Sequence, residues 1–190
     1  IGKKDQLKLL FCAAIGITGL FLVHYRVVAF LACLFVSLII TKLILARSDF
    51  KNTFINYTVR ILILVLLTAL ISSTWLIPAM RDTFVPRLAP TATEASLNFF
   101  GDFSWHYLTP IFGKQVIVLA VIGVLWALLR KQLLAGAIIG WVILLFFVAN
   151  LGALNLPGGT FINNSSVAIM LFMPLSVTAG YLIVQVSSLW

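Results

Sequence analysis

The sequence predicts an all-α integral membrane protein, a polytopic bundle of transmembrane helices. Hydrophobic residues make up 62% of the 190 residues and charged residues only 9%, too few to cover a soluble domain of this length. Lipid cannot hydrogen-bond the backbone, so segments inside a bilayer must be helices or a closed β-barrel. The apolar runs are long and uniform and lack the alternation of β-strands, which favours helices.

Two predicted spans open the chain. The first covers residues 7–23 and ends at the turn His24-Tyr25-Arg26, and the second covers residues 27–46 and ends at Arg47. A helix rises about 1.5 Å per residue, so about 20 apolar residues cross a hydrocarbon core of about 30 Å. Because the turn between them is short, we expect these two spans to be antiparallel neighbours.

The third and fourth predicted spans flank the longest polar segment. The third covers residues 61–80 and begins after Arg60. The fourth covers residues 115–129, or begins as early as Ile111, because proline is tolerated in a first helical turn. The segment 81–114 between them is rich in proline and glycine and forms a loop. A short helix in the membrane interface is expected in this loop, containing Phe99, Phe100, Phe103 and Trp105.

The last two predicted spans cover residues 132–154 and 167–186. A basic pair at 130–131 forms a tight turn before the fifth span, and a segment rich in proline, glycine and asparagine precedes the sixth. Within the fifth span, Gly136 and Gly140 are four residues apart. This spacing predicts a face that another helix can approach closely.

The distribution of basic residues predicts the orientation. With a cytoplasmic N-terminus, nine of the 13 Lys and Arg residues lie on the inner side and four on the outer side. Basic residues are concentrated in cytoplasmic loops, so we expect six spans in the cytoplasmic (inner) membrane with both termini inside. The net charge of +8 then reflects topology and contact with anionic lipids. Nucleic-acid binding is disfavoured, since no basic stripe or aromatic platform accompanies the charge.

Several classes of function lack support in the sequence. It contains no CxxC, HExxH, GxGxxG, Walker or GxSxG motif, and Cys12 and Cys33 have no partner at metal-binding spacing. The predicted spans contain no Asp, Glu, His or Arg, the residues that usually mark ion pathways, which disfavours an ion-coupled transporter. The pattern specifies no cofactor and no metal site. Because the sequence begins with Ile1, we expect it to be part of a longer protein.

Polar side chains that can bind a ligand are concentrated on the predicted outer face. Arginine can hold a phosphate in bidentate geometry, and tyrosine, histidine and asparagine can hydrogen-bond a phosphate or a sugar hydroxyl. Structural roles remain open, since aromatic and basic residues also anchor helix ends at the interface and asparagine caps helices. The candidate site residues are His24, Tyr25, Arg26, Arg81, Arg87, Asp102, His106, Asn163 and Asn164.

Four segments resemble the C-terminal membrane half of GT-C-type glycosyltransferases, especially bacterial members of the protein mannosyltransferase and aminoarabinose transferase group. They are HYRV at 24–27, STWLIP at 73–78, LLRK at 128–131 and LPGGTFINN at 156–164, and the Trp-rich outer loop that follows the second of them adds to the resemblance. The resemblance implies sugar transfer from a lipid-phosphate carrier at the outer face. That family's catalytic carboxylate lies in the first outer loop of the N-terminal half. Here the first outer turn contains no acidic residue, so no catalytic residue is carried over.

Two functional hypotheses follow. In the first, the chain is the membrane portion of such a glycosyltransferase and shapes the cleft for a polyprenyl-phosphate sugar, with a groove at the head-group level lined by Arg26, Arg81, Arg87 and Asn163. In the second, it is a non-enzymatic subunit of a membrane complex whose spans pack against other subunits, quinones or pigments. His24 and His106 would then be the pigment contacts. Membrane lipids are partners under both hypotheses, and nucleic acid is a partner under neither.

Overall fold

The computed structural model describes residues 3–45, 50–85, 103–109, 111–154, 156–159 and 162–188. Of these residues, 88% are helical and none is in a β-strand, which confirms the predicted all-α class. Three helices are long and apolar enough to cross a membrane, and two further apolar helices have 17 residues each. The described part of the chain is therefore compatible with a helical membrane bundle.

The described residues form eight α-helices and two short helical segments of other types. A π-helical segment, Met80–Phe84, continues the third helix, and a 3-10 turn, Gly152–Leu154, follows the sixth. The α-helices are α1 (Lys3–Leu45), α2 (Phe50–Ile71), α3 (Ser73–Ala79), α4 (Trp105–Leu108), α5 (Gly113–Leu129), α6 (Leu133–Ala149), α7 (Asn164–Met170) and α8 (Phe172–Ser187).

Helix α1 folds back on itself at His24, whose φ of −156° and ψ of 86° are not helical. Gln6 and Lys42 would be about 54 Å apart on a straight helix. Instead, Gln6 accepts a hydrogen bond from Arg60 and Lys42 donates one to Tyr57, and these two partners are one turn apart on α2. The N-terminal arm (3–23) and the C-terminal arm (25–45) are therefore antiparallel, as the turn at 24–26 predicts.

Helix α2 begins earlier than the sequence pattern suggests. The predicted third span begins at residue 61, but the helix begins at Phe50 and contains Arg60. A long basic side chain does not end a helix, because it can extend to water while the backbone continues its hydrogen bonds. The helix is interrupted at Ser72, whose hydroxyl donates to the Thr68 carbonyl at 2.7 Å, a contact that often bends helices.

The C-terminal arm of α1 packs against α6 through the two predicted glycines. A Cβ atom at Gly136 would lie 2.5 Å from Thr41 Cγ2, and one at Gly140 would overlap Ser37 Oγ. The close approach allows the Ser37 hydroxyl to donate to the Ala137 carbonyl at 2.6 Å. The Trp141 indole N–H likewise donates to the Phe30 carbonyl at 2.9 Å. The predicted packing face is confirmed, and its partner is α1 of the same chain.

Helices α5 and α6 are joined by the predicted basic turn. Lys131 adopts φ of 52°, in the left-handed region. Its N–H donates to the Leu128 carbonyl at 2.9 Å, and the Gln132 N–H donates to the Ala127 carbonyl at 2.9 Å. These two bonds form a Schellman motif, which ends α5 and satisfies its last carbonyls. Helix α5 packs in turn against α8, where Gly123 lies against the backbone of Thr178.

The predicted fifth and sixth spans differ from the structure at their ends. Helix α6 ends at Ala149 rather than 154, because the Asn150 side chain donates to the Phe146 carbonyl at 2.7 Å and caps the last turn. The sixth span begins earlier, since residues Asn164–Ser187 form one apolar stretch of 24 residues. A break at Leu171 separates α7 from α8, because Pro174 lacks the N–H that would bond to the Met170 carbonyl.

The predicted interfacial helix is only partly as expected. The observed helix, α4, begins at Trp105, and Phe103 precedes it. The Phe103 side chain is buried, with its ring centroid 5.5 Å from that of Phe146 on α6. Phe103 therefore belongs to the core, whereas Trp105 is 66% exposed. Phe99 and Phe100 lie outside the described residues.

Candidate functional site: an apolar groove with a basic end

A groove of about 710 Å³ lies between the two arms of α1 and the helices α2 and α3. Its volume falls within the range of about 300–1,000 Å³ that ligand pockets occupy. The walls are almost entirely apolar and include Ile17, Phe21, Leu31, Phe35, Leu64 and Ala69. The shape and lining suit a hydrocarbon chain rather than a polar solute.

The groove is long enough to extend through most of a bilayer. Tyr57 lines one end and Leu76 the other. Nineteen residues at about 1.5 Å each give a length of about 28 Å, close to the thickness of a hydrocarbon core. At the Leu76 end, Phe21 packs edge-on against Trp75 with ring centroids 5.1 Å apart. At the other end, the groove is bounded by polar side chains.

Three polar residues that the sequence pattern does not single out as a site meet at the Tyr57 end. The Lys42 ammonium donates to the Tyr57 hydroxyl at 2.6 Å and lies 5.1 Å from the centroid of its ring. One turn further along α2, the Arg60 guanidinium donates to Gln6 Oε1 at 3.4 Å. Lys42, Tyr57 and Arg60 all line the groove. We call these three residues the basic end.

A second polar cluster joins two of the predicted site residues. The Arg26 guanidinium donates to the Ser166 hydroxyl at 3.1 Å, and that hydroxyl donates to Asn163 Oδ1 at 2.7 Å. Asn163 also accepts from the Ser166 N–H at 2.9 Å and so caps α7. The neighbouring Ser165 hydroxyl is 3.0 Å from that of Ser104. We call Arg26, Asn163 and Ser166 the Arg26 cluster, which links α1 to α7, while the Ser104–Ser165 contact links α7 to the segment before α4.

Asn164 is not part of that cluster. Its side chain is buried at 8% exposure and exchanges two amide hydrogen bonds with Asn150, at 3.1 and 3.2 Å. Paired amides satisfy each other's hydrogen-bonding groups when buried, which explains how two polar side chains are accommodated in the core. Asn164 thus has a structural role here, joining α7 to the end of α6.

The remaining predicted site residues are more dispersed. His24 is exposed at the reversal of α1, and the Arg26 guanidinium lies 5.9 Å from the Tyr25 ring. Arg81 pairs with its neighbour Asp82 at 3.7 Å, with the two side chains 88% and 69% exposed. His106 is exposed on α4, with its ring against Tyr107. Arg87 and Asp102 lie outside the described residues.

The groove and the Arg26 cluster lie on opposite faces of the C-terminal arm of α1. The groove contacts residues such as Val28 and Phe35, whereas Arg26 shares the face of Phe30 and Ser37, which meets α6 and α7. None of the predicted site residues within the described ranges lines the groove. One end of the groove nonetheless lies near Arg26 along the helix axes, because Phe21 and Val28, which line the groove, flank the reversal at 24–26.

Within the described residues, no group of three or more His, Cys, Asp or Glu side chains could hold a metal ion. Comparisons with models of known protein families, with curated proteins and with solved structures found no match. The groove, its basic end and the Arg26 cluster are the features of the described residues that can bind a ligand.

Proposed function

We propose that this chain is the membrane-embedded portion of a glycosyltransferase that uses a lipid-phosphate-linked sugar at the outer face, and that it shapes the cleft for the lipid carrier. The apolar groove is the observation that carries this proposal. It is about as long as a bilayer core is thick, and its walls offer hydrocarbon contacts along the α1 arms and α2. In this proposal the chain crosses the membrane six times with both termini in the cytoplasm.

The head group of the carrier would lie beside the reversal of α1. A carrier whose hydrocarbon chain entered the groove beside Phe21 and Val28 would have its phosphate near residues 24–26. Tyr25 and Arg26 lie beside the reversal, and Arg26 contacts the Ser166 hydroxyl, which in turn donates to Asn163. A guanidinium stabilises phosphate oxygens by charge-assisted hydrogen bonds, and amides suit sugar hydroxyls.

The reaction in this proposal is displacement at the anomeric carbon, with a carboxylate as general base and cations that stabilise the departing phosphate. The described acidic residue between α3 and α4 is Asp82, which lies in the π-helical segment Met80–Phe84 and is exposed and paired with Arg81. We therefore assign no catalytic residue, and place the base in another part of the protein. The residues described here bind and orient the carrier.

The test is photo-crosslinking with a polyprenyl phosphate that carries a photoactivatable group in its chain. Ala69 lines the groove, so Ala69→Phe should fill it and reduce crosslinking at least tenfold. Val118 is 57% exposed on α5 and is not among the groove-lining residues, so Val118→Phe should label like the unmodified protein. Equal labelling of both variants would contradict the proposal.

The alternative is a non-enzymatic subunit of a larger membrane complex. Helix α2 supports it, because none of its residues is buried in this chain, so its surface is available to another subunit, a quinone or a pigment. Under this hypothesis, the native protein migrates as a defined complex with stoichiometric partners, and the photoactivatable carrier does not label the groove.

A further inference from the structure

The basic end of the groove forms an arrangement that the proposed glycosyltransferase does not use. It lies at the opposite end from the reversal of α1, where the proposed head group of the sugar carrier binds. We infer that Lys42, Tyr57 and Arg60 bind the phosphate of an anionic phospholipid, whose acyl chain occupies the adjoining half of the groove. This inference goes beyond the proposed function and does not depend on it.

Charge complementarity identifies the head group as anionic. Lys42 and Arg60 are the charged residues among those that line the groove, and both are cations. Within the described part of the chain, neither forms a salt bridge with a carboxylate, and their hydrogen-bond partners are the neutral side chains of Tyr57 and Gln6. A cation beside apolar walls is stabilised by an anionic partner. A zwitterionic head group would bring a further cation to a site that already holds two.

The geometry suits a single phosphate group. Tyr57 and Arg60 are three residues apart and therefore share a face of α2. The hydrogen bond from Lys42 to the Tyr57 hydroxyl holds the ammonium close to that face. Lys42 lies in the last turn of α1, which places the three side chains near the end of an apolar span. Long basic side chains near such ends reach the head-group level of a bilayer.

The apolar walls favour a lipid over a free anion as the ligand of the basic end. Directly beyond the basic end, the groove is lined by aliphatic side chains from all three helical segments, including Leu10, Ile39, Ile61 and Leu64. Half of the groove, about 14 Å, matches the depth that an acyl chain occupies within one leaflet of a core about 30 Å thick. Inorganic phosphate could use the cations but would leave these walls without a partner.

The experiment measures lipid binding to the purified protein by native mass spectrometry. Phosphatidylglycerol and phosphatidylcholine with identical acyl chains are titrated separately, and glycerol phosphate serves as the head group without chains. The double variant Lys42→Gln/Arg60→Gln removes both cations. The matched control is Arg130→Gln, since Arg130 is an exposed cation on the α5–α6 turn, stacked on Trp126 and absent from the groove lining.

We expect phosphatidylglycerol to bind at least tenfold more tightly than phosphatidylcholine to the unmodified protein. The double variant should lose affinity for phosphatidylglycerol by about 30-fold, roughly fivefold for each cation, and lose the preference between the two lipids. Arg130→Gln should retain both. Tyr57→Phe, which keeps the ring and removes the hydroxyl that holds Lys42, should lose part of the preference without a loss of fold.

Three results would overturn the inference. They are the absence of a preference in the unmodified protein, an equal loss in Arg130→Gln, and displacement of the lipid by glycerol phosphate at comparable concentration. None of these results affects carrier crosslinking at the opposite end of the groove. Conversely, failure of that crosslinking leaves the measured preference for anionic phospholipid intact, so the two proposals fail separately.

Discussion

Gly140 is the position at which one added methyl group tests the α1–α6 interface most directly. A Cβ atom there would overlap Ser37 Oγ and lie 3.4 Å from Ser37 Cβ. The hydroxyl cannot move aside freely, because it donates to the Ala137 carbonyl at 2.6 Å and the Ser37 side chain is 2% exposed. Gly140→Ala should therefore push the two helices apart or break this hydrogen bond.

The size of the effect follows from three terms. Overpacking a well-packed contact costs about 1–3 kcal/mol. A hydrogen bond between membrane helices contributes about 0.6 kcal/mol on average, up to about 1.7. Replacing glycine by alanine in a helix gains about 1 kcal/mol, which opposes the other two. We expect a net loss of about 1–2 kcal/mol in the free energy of unfolding for Gly140→Ala.

The assay is reversible unfolding in mixed micelles with increasing SDS, followed by the fluorescence of tryptophan, since Trp141 is buried at the same interface. Gly180→Ala is the matched control, because a Cβ atom at Gly180 would meet no heavy atom within 4 Å. It should leave stability unchanged or raise it by up to about 1 kcal/mol. In a Ser37→Ala background the overlapping hydroxyl is gone, so Gly140→Ala should cost less than about 0.5 kcal/mol.

The double-mutant cycle decides whether the reasoning is right. If the costs of Gly140→Ala and Ser37→Ala add without coupling, the overlap with Ser37 is not the cause of the destabilisation. If Gly140→Ala is no more destabilising than Gly180→Ala, the close approach of α1 and α6 is itself refuted.

Two further predictions concern the α5–α6 turn and the topology. Lys131 has φ of 52°, so Lys131→Gly should raise the free energy of unfolding by about 1 kcal/mol in the same SDS titration, whereas Lys131→Ala should not; equal behaviour of the two variants would refute a left-handed conformation. In a background in which Cys12 and Cys33 are replaced by alanine, Ser48→Cys should react with a membrane-impermeant thiol reagent only from the cytoplasmic side and Thr160→Cys only from outside. The opposite pattern would invert the proposed topology.

The positions of the helices follow closely from the sequence where turn chemistry is local. The reversal at 24–26 and the turn at 130–131 are present, because charged and turn residues between two apolar runs leave few other ways to connect them. Helix boundaries predicted from a single charged residue are less accurate. Arg60 marks where the apolar run begins, but α2 begins at Phe50, since a helix can continue beyond the hydrocarbon region.

In the candidate site, the sequence predicts some side-chain contacts and misses others. Sequence patterns predict a polar outer face, and two of its members, Arg26 and Asn163, do meet through Ser166. Asn164, two positions from Ser166, instead pairs with Asn150 in the core. No spacing rule distinguishes these two asparagines, because the difference depends on which neighbouring helix each side chain faces.

The sequence by itself determined that this protein is helical, apolar enough for a membrane and built with a glycine face on α6. Each of these properties depends on composition or on spacing within one segment. Only the tertiary structure decided that the glycine face meets Ser37 and Thr41, and that Lys42, Tyr57 and Arg60 converge at one end of a groove. Lys42 and Tyr57 are 15 residues apart and belong to different helices. Their contact arises because α1 folds back at His24 and α2 then packs along both of its arms, a relation between helices that no single segment encodes.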